Sequence, residues 1–206
     1  MIPVNVLALR YLNNVSPALA ASLGAPSLGM LTTDCDDATY IALDAATKAA
    51  DVRVTYGRSF YAGAANASTP NAGEVIGILA GPTPGAVRSG MEAALAALER
   101  VGFEEVGGVP YLAHTVASVG SFLAQEAGVS TGSAIAYLIA PPLESMYAMD
   151  AALKAADVKL CKLYTPPSET NFGGGLLSGT QSACQAACSA FAAAVAEVAA
   201  NPIKKE

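Results

Sequence analysis

Three aspartates and a thiol fall together at Asp34-Cys35-Asp36-Asp37, where a strand-like run gives way to an alanine-rich one. Asp at such a junction caps the coming helix and complements its dipole. One carboxylate is enough for a cap, and three crowded together repel one another. With Glu74 they have the composition of an anionic pocket for a small ammonium compound. Two readings stand side by side: a cap alone, and a cap that also serves as a ligand site at Asp36, Asp37 and Glu74. General acid–base catalysis by a carboxylate pair is a third, and nothing else in the chain supports it. The single histidine, His114, lies in apolar strand-like sequence, the setting of a core or interface residue. Cys35 between acids is a poor nucleophile, because the neighbouring charges disfavour its thiolate. Cys184 and Cys188 share a helix face, but two thiols without a third ligand read as small core residues. Gly173 to Gly175 lack the Lys-Ser/Thr that completes a phosphate loop. No catalytic residue, no metal and no cofactor is expected.

The elements that must position these groups are announced by a repeat. Asp44-Ala-Ala-Thr-Lys48-Ala-Ala-Asp51-Val52 recurs as Asp150-Ala-Ala-Leu-Lys154-Ala-Ala-Asp157-Val158, with Thr47 against Leu153 as the one difference. Both copies are alanine-rich, free of Gly and Pro, and carry Lys four residues after Asp, so both read as helices. The similarity continues upstream, where 28–31 stands against 134–138, and downstream, where 78–81 matches 176–179. The chain is two copies of one domain, expected at 1–104 and 105–206. In the first, strands are expected at 4–12, 27–33, 52–56 and 74–80, with helices at 17–23 (capped by Ser16), 38–50 and from Pro82 or Pro84 to Arg100. In the second, strands fall at 111–118, 134–139, 158–163 and 176–177, with helices at 122–127, 143–156 and 180–200. Residues 102–110, with three glycines and a proline, read as a linker. Short connections between alternating strands and helices predict an α+β sandwich, a small mainly antiparallel sheet with helices packed on it.

Of the 206 residues, 53% are hydrophobic and 14% charged, with a net charge of −6. The acidic balance and the lack of a basic patch argue against nucleic acid. So little charge on small domains suggests that much of the surface is covered by other subunits. The apolar run 183–200 is broken by Gln185 and Glu197 and reads as a packed amphipathic helix rather than a membrane span. The start lacks a signal-peptide pattern, and four cysteines without a Cys-x-x-Cys pair suit a reducing cytosol.

At 27–31 and 45–52 the chain resembles the bacterial microcompartment shell-protein domain. Over nearly its whole length it is similar to the tandem-domain shell proteins of ethanolamine utilisation, carried by Asp34-Cys-Asp-Asp-Ala-Thr-Tyr40, Tyr56-Gly-Arg-Ser-Phe-Tyr-Ala-Gly63, Ala140-Pro-Pro-Leu-Glu144 and Ser178-Gly-Thr-Gln-Ser-Ala-Cys184. The resemblance implies two circularly permuted domains in one chain. It implies a homotrimer that forms a pseudohexagonal tile with a gated central pore, lying in a sheet with other shell proteins, in the cytoplasmic microcompartment shell. It further implies ethanolamine, or a similar small amine, bound beside Asp36, Asp37 and Glu74, and Lys48 and Lys154 at the tile edge, where the bland reading is a solvated helix lysine. The loops 57–73 and 165–175 are long, rich in small residues and different between the copies, so they are expected to line the pore. Phe60 and Tyr61 are candidate plug residues, and Gly63, Asn171, Phe172 and Gly173 complete the candidate gate. The alternative is a small-molecule-binding or sensing protein without a shell role, which would not assemble into trimers and sheets.

Overall fold

In a computed structural model, which describes residues 1–60, 71, 73–166 and 171–203, the chain packs as two units. One comprises Pro3–Gly102 with Gly120–Leu123, and the other Met1–Ile2, Phe103–Val119 and Ala124–Glu206.

In the first unit the strands β1 (Val6–Leu12), β2 (Ser27–Thr33), β3 (Arg53–Ser59) and β4 (Val75–Gly81) form an antiparallel sheet of order β1-β2-β4-β3. Helix α1 (Pro17–Leu23) links β1 to β2, α2 (Asp36–Ala49) links β2 to β3, and α3 (Pro84–Leu98) follows β4. The inner strands β2 and β4 are largely buried, and β4 is wholly apolar, as strands covered by helices tend to be. Leu28, Leu31, Leu43, Leu79 and Met91 are fully buried between sheet and helices. Pro84 opens α3 where a missing N–H costs nothing, and the Thr83 hydroxyl accepts from the Ala86 N–H at 3.1 Å.

The second half of the chain repeats the plan with β6 (Val109–Val116), α4 (Ser121–Ala127, whose first turn belongs to the first unit), β7 (Ala134–Ala140), α5 (Pro142–Ala155), β8 (Val158–Tyr164), β9 (Gly173–Gly179) and α6 (Gln181–Ala200). Its sheet has the order β5-β6-β7-β9-β8, the extra edge strand β5 being Glu104–Val106. All seven residues of β7 are buried. Helix α6 is long and apolar enough to cross a membrane by length and composition. Here one of its faces, Cys184, Ala187, Cys188, Phe191 and Val195, is buried in the core against α5 and the sheet. The Cys188 thiol lies 3.3 Å from the Thr115 hydroxyl, and burial pushes its pKa up to about 11.

Three expectations need correction. Residues 102–110 are not an open linker: β5 and β6 form a hairpin whose turn, Gly107-Gly108, has φ of 57° and 80°. Two consecutive positive φ values are what a type I′ turn demands, and glycine supplies them without steric cost. Second, the loop expected to run to 175 ends at 172, because Gly173, Gly174 and Gly175 open β9 opposite Ala140, Ile139 and Leu138. A side chain at Gly174, whose φ is 145°, would place its Cβ 1.9 Å from the Leu138 carbonyl oxygen. These glycines let two strands approach, and Gly173 belongs to a buried strand rather than to a loop. Third, β9 is a full strand of seven residues, where the sequence promised two.

Candidate functional site

The ends of three strands bring the acidic residues together. The Glu74 N–H donates to the Thr33 carbonyl at 2.8 Å, and the Phe60 N–H donates to the Glu74 carbonyl at 3.0 Å. The end of β2, the end of β3 and the start of β4 are thereby fixed side by side, and Asp34 to Asp37 follow directly from β2. The local cap is a hydroxyl network. Cys35 N–H donates to Thr33 Oγ1 at 3.1 Å, and Thr39 Oγ1 donates to the Cys35 carbonyl at 2.8 Å. Cys35 is the N-cap residue and makes no side-chain cap, so none of the three aspartates caps the helix from that position. Asp36 and Asp37 occupy the first turn, buried and favoured there by the helix dipole. Asp36 accepts from the Asp37 N–H at 2.9 Å and from Ser59 Oγ at 2.6 Å, and Ser59 lies 2.6 Å from the Tyr40 hydroxyl. Asp34 points elsewhere, accepting from the backbone and side-chain amides of Asn5 at 2.8 and 2.6 Å.

The crowding is electrostatically visible. Partial burial, and then the charges of Asp36 and Asp34, push the Glu74 carboxyl above its ordinary range. Burial pushes the Cys35 thiol far up, with Asp37, Asp36 and Glu74 adding to it, so Cys35 is held as an unreactive thiol. The Tyr40 phenol is raised to about 12, mainly by burial. Such a site favours any cation that relieves the repulsion. Among the described residues no group of three His, Cys, Asp or Glu is arranged to hold a metal. The equivalent turn of the second unit carries Ala140, Pro142 and Leu143 and has no carboxylate at those places.

Of the candidate gate residues, Phe60 is half-buried at the end of β3, and Tyr61 and Gly63 lie outside the described residues. Asn171 is exposed with φ of 67°, the left-handed region that Asn tolerates. Phe172 packs on Phe103 with ring centroids 5.7 Å apart, a contact that anchors it. The candidate edge lysines sit on the last turns of α2 and α5. Lys48 is 3.3 Å from Asp44, and Lys154 2.6 Å from Asp150.

Asp44 itself carries a role that the sequence did not reveal. Its carboxylate is fully buried and accepts from the Gly120 N–H at 2.7 Å and the Leu123 N–H at 2.9 Å, while Thr47 Oγ1 accepts from the Ser121 N–H at 3.1 Å. It is thus the cap of α4, supplied from a distant point in the chain. The spacing of Asp44 and Thr47 on one helix face was the available signal, masked by the more obvious Asp44–Lys48 pair.

Comparison with known proteins defines the class. Residues 27–109 match the BMC domain. Over the full length, the chain is 57% identical to the bacterial microcompartment shell protein EutL of Clostridium perfringens, covering 98% of this chain and 97% of that protein. It is 47% identical to EutL of Escherichia coli, covering 100% and 97%. The crystal structure of the ethanolamine utilization protein EutL from Leptotrichia buccalis superposes with a TM-score of 0.93 at 56% identity, covering 99% of this chain and 98% of that one. The trimeric shell protein PduB shares the fold, with a TM-score of 0.78 at 19% identity over 95% and 89% of the two chains. The chain belongs to the EutL family of bacterial microcompartment shell proteins. It is a structural protein of the shell of a cytoplasmic microcompartment.

Proposed function

We propose that three copies of this chain form a pseudohexagonal tile with a gated central pore for small metabolites or cofactors, serving ethanolamine catabolism. The observation that carries the reading is the equivalence of the two halves: each has the same four-strand order and the same three helices, so three chains present six similar units. PduB, which shares the fold, is described as trimeric, and the relatives' names tie them to ethanolamine utilisation. The pore is assigned to the loops between β3 and β4 and between β8 and β9, with Phe60, Tyr61, Gly63, Asn171 and Phe172 at the gate. Asp36, Asp37 and Glu74 take a small primary amine such as ethanolamine, which neutralises the charge crowding there. Other shell proteins are the lateral partners.

Two measurements test this. Light scattering on the full chain is expected to give the trimer mass, and a monomer would overturn the tile. Calorimetric titration with ethanolamine is expected to show binding to the parent and at least a tenfold loss in an Asp37→Ala, Glu74→Ala variant, since each charge-assisted contact contributes roughly 1.5–3 kcal/mol. Unchanged binding would overturn the amine site and leave the tile intact.

A further inference from the structure

Helix α2 and its repeat partner α5 agree where they hold the fold and differ where α2 meets the acidic cluster. Toward their ends, Asp44–Val52 and Asp150–Val158 differ at one position. At their starts, the same offset sets Asp36 against Pro142, Asp37 against Leu143 and Tyr40 against Met146. The bulges of β3 and β8 likewise set Ser59 against Thr165. The Tyr40 hydroxyl is thus exchanged together with the carboxylates, and the second half builds the same helix and strand without it. The fold does not require this hydroxyl; the acidic site is what it serves. Its proton can be assigned a direction. A carboxylate only accepts, so Ser59 gives its one hydroxyl proton to Asp36, at 2.6 Å. The 2.6 Å contact between Ser59 and Tyr40 must then carry the phenol proton toward Ser59. The phenol, pushed up to about 12, keeps that proton at neutral pH.

We propose that Tyr40 and Ser59 are positioning residues for the amine: the relay from Tyr40 through Ser59 to Asp36 fixes the carboxylate that takes the ammonium group, and Phe122 braces the relay. Asp36 is held at both oxygens, one accepting from Ser59 Oγ and the other from the Asp37 N–H at 2.9 Å. Its plane cannot turn, and its remaining lone pairs keep one direction. A carboxylate aligned beforehand loses less freedom on binding than one that the ligand must order. Both hydroxyl protons run toward Asp36, so this wall offers acceptors and suits a cation rather than an anion. Phe122 lies against Tyr40 with ring centroids 5.9 Å apart at 51°. A Cβ on Gly57 would stand 3.4 Å from Phe122 Cζ and 3.5 Å from Tyr40 Cε1, so the β3 backbone is a floor under both rings. Phe122 is itself fixed, because the Gly120 and Leu123 N–H groups on either side of it donate to the buried Asp44. The turn Gly120–Leu123 packs with the first unit and so supplies the brace for that unit's acidic site.

The inference rests on the amine site proposed above, and calorimetric titration of the full chain with ethanolamine tests it. Ser59→Ala is expected to weaken binding about tenfold and Tyr40→Phe about threefold, each in a chain whose circular dichroism matches the parent. Ser59→Thr keeps the donor and should bind within about twofold of the parent. The relay order makes a sharper demand. Tyr40→Phe acts only through Ser59, so the Ser59→Ala, Tyr40→Phe variant should bind no more weakly than Ser59→Ala alone. Phe122→Leu is expected to match Tyr40→Phe. A parent that does not bind ethanolamine would remove the amine site and this role with it. A parent that binds, and loses binding in the Asp37→Ala, Glu74→Ala variant, while Tyr40→Phe or Ser59→Ala binds as the parent does, would overturn the relay alone. So would additive losses in the Ser59→Ala, Tyr40→Phe variant, or a Ser59→Ala defect that Ser59→Thr does not restore.

Discussion

Asp44 and Asp150 occupy the same place in a repeated motif and meet opposite surroundings. The Asp44 carboxylate is fully buried and holds two backbone N–H groups, with Lys48 beside it. Removing it leaves both donors unsatisfied in the interior, a loss of about 3 kcal/mol from hydrogen bonds to a charged group. Asp44→Ala is therefore expected to lower stability by roughly that amount in denaturant unfolding, far more than the loss of an ordinary surface pair. The acidic cluster makes a second residue-scale prediction, on pH. Burial, Asp36 and Asp34 raise the Glu74 pKa, so the folded chain prefers Glu74 protonated. The stability this contributes is complete below the ordinary Glu range and is lost as pH rises through the raised folded value. A bound ammonium ion reverses the preference, since it favours the carboxylate. Amine affinity should thus fall as pH is lowered through the region just above the ordinary Glu pKa, with proton release on binding within that window. Titration in two buffers of different ionisation enthalpy measures both, and affinity independent of pH there would exclude Glu74 as a ligand.

At the scale of elements, glycine separates what the sequence told from what it concealed. The repeat, the two sheets and every helix were legible, because alanine-rich helical runs and β-branched segments recur in the same order. The glycine segments are not legible in the same way, since Gly107-Gly108 and Gly173 to Gly175 look alike as composition. The first pair turns a hairpin, and the second run lies inside a strand where neighbouring backbone leaves no room for Cβ. Composition does not distinguish a turn from a close strand approach; only the partner strands do. The acidic site was readable as residue types, but not the Ser59 and Tyr40 hydroxyls behind it, which come from β3 and the second turn of α2. Gly174→Ala is expected to be severely destabilising, by roughly 3 kcal/mol or more, because the new Cβ overlaps the Leu138 carbonyl and φ of 145° is strained for an L side chain. Thermal unfolding against Gly108→Ala, a turn position with open space around its Cβ, separates steric overlap from φ strain alone.

For the whole molecule, the question is how weak contacts build a sheet. Lys48 and Lys154 end equivalent helices, and each is held by an acid four residues earlier. The exposed Lys154–Asp150 pair contributes roughly 0–1 kcal/mol, too little to decide whether a chain folds or a trimer holds. In the proposed tile an edge contact would be different, because each copy of the tile would repeat it around its perimeter and the small increments would accumulate along the lattice. Changing Lys154→Asp puts a carboxylate beside Asp150 and, were this helix end at the rim, like charge toward any acidic neighbour on a chain of net charge −6. Lys154→Asp and Lys48→Asp are thus expected to leave the trimer intact in sedimentation while abolishing extended arrays in electron micrographs, more cleanly for Lys154, since Lys48 also lies against the buried Asp44. High salt should partly restore arrays by screening the repulsion. If both variants form ordered arrays indistinguishable from the parent, the lysines are solvated helix ends and the lateral contact lies elsewhere on the tile.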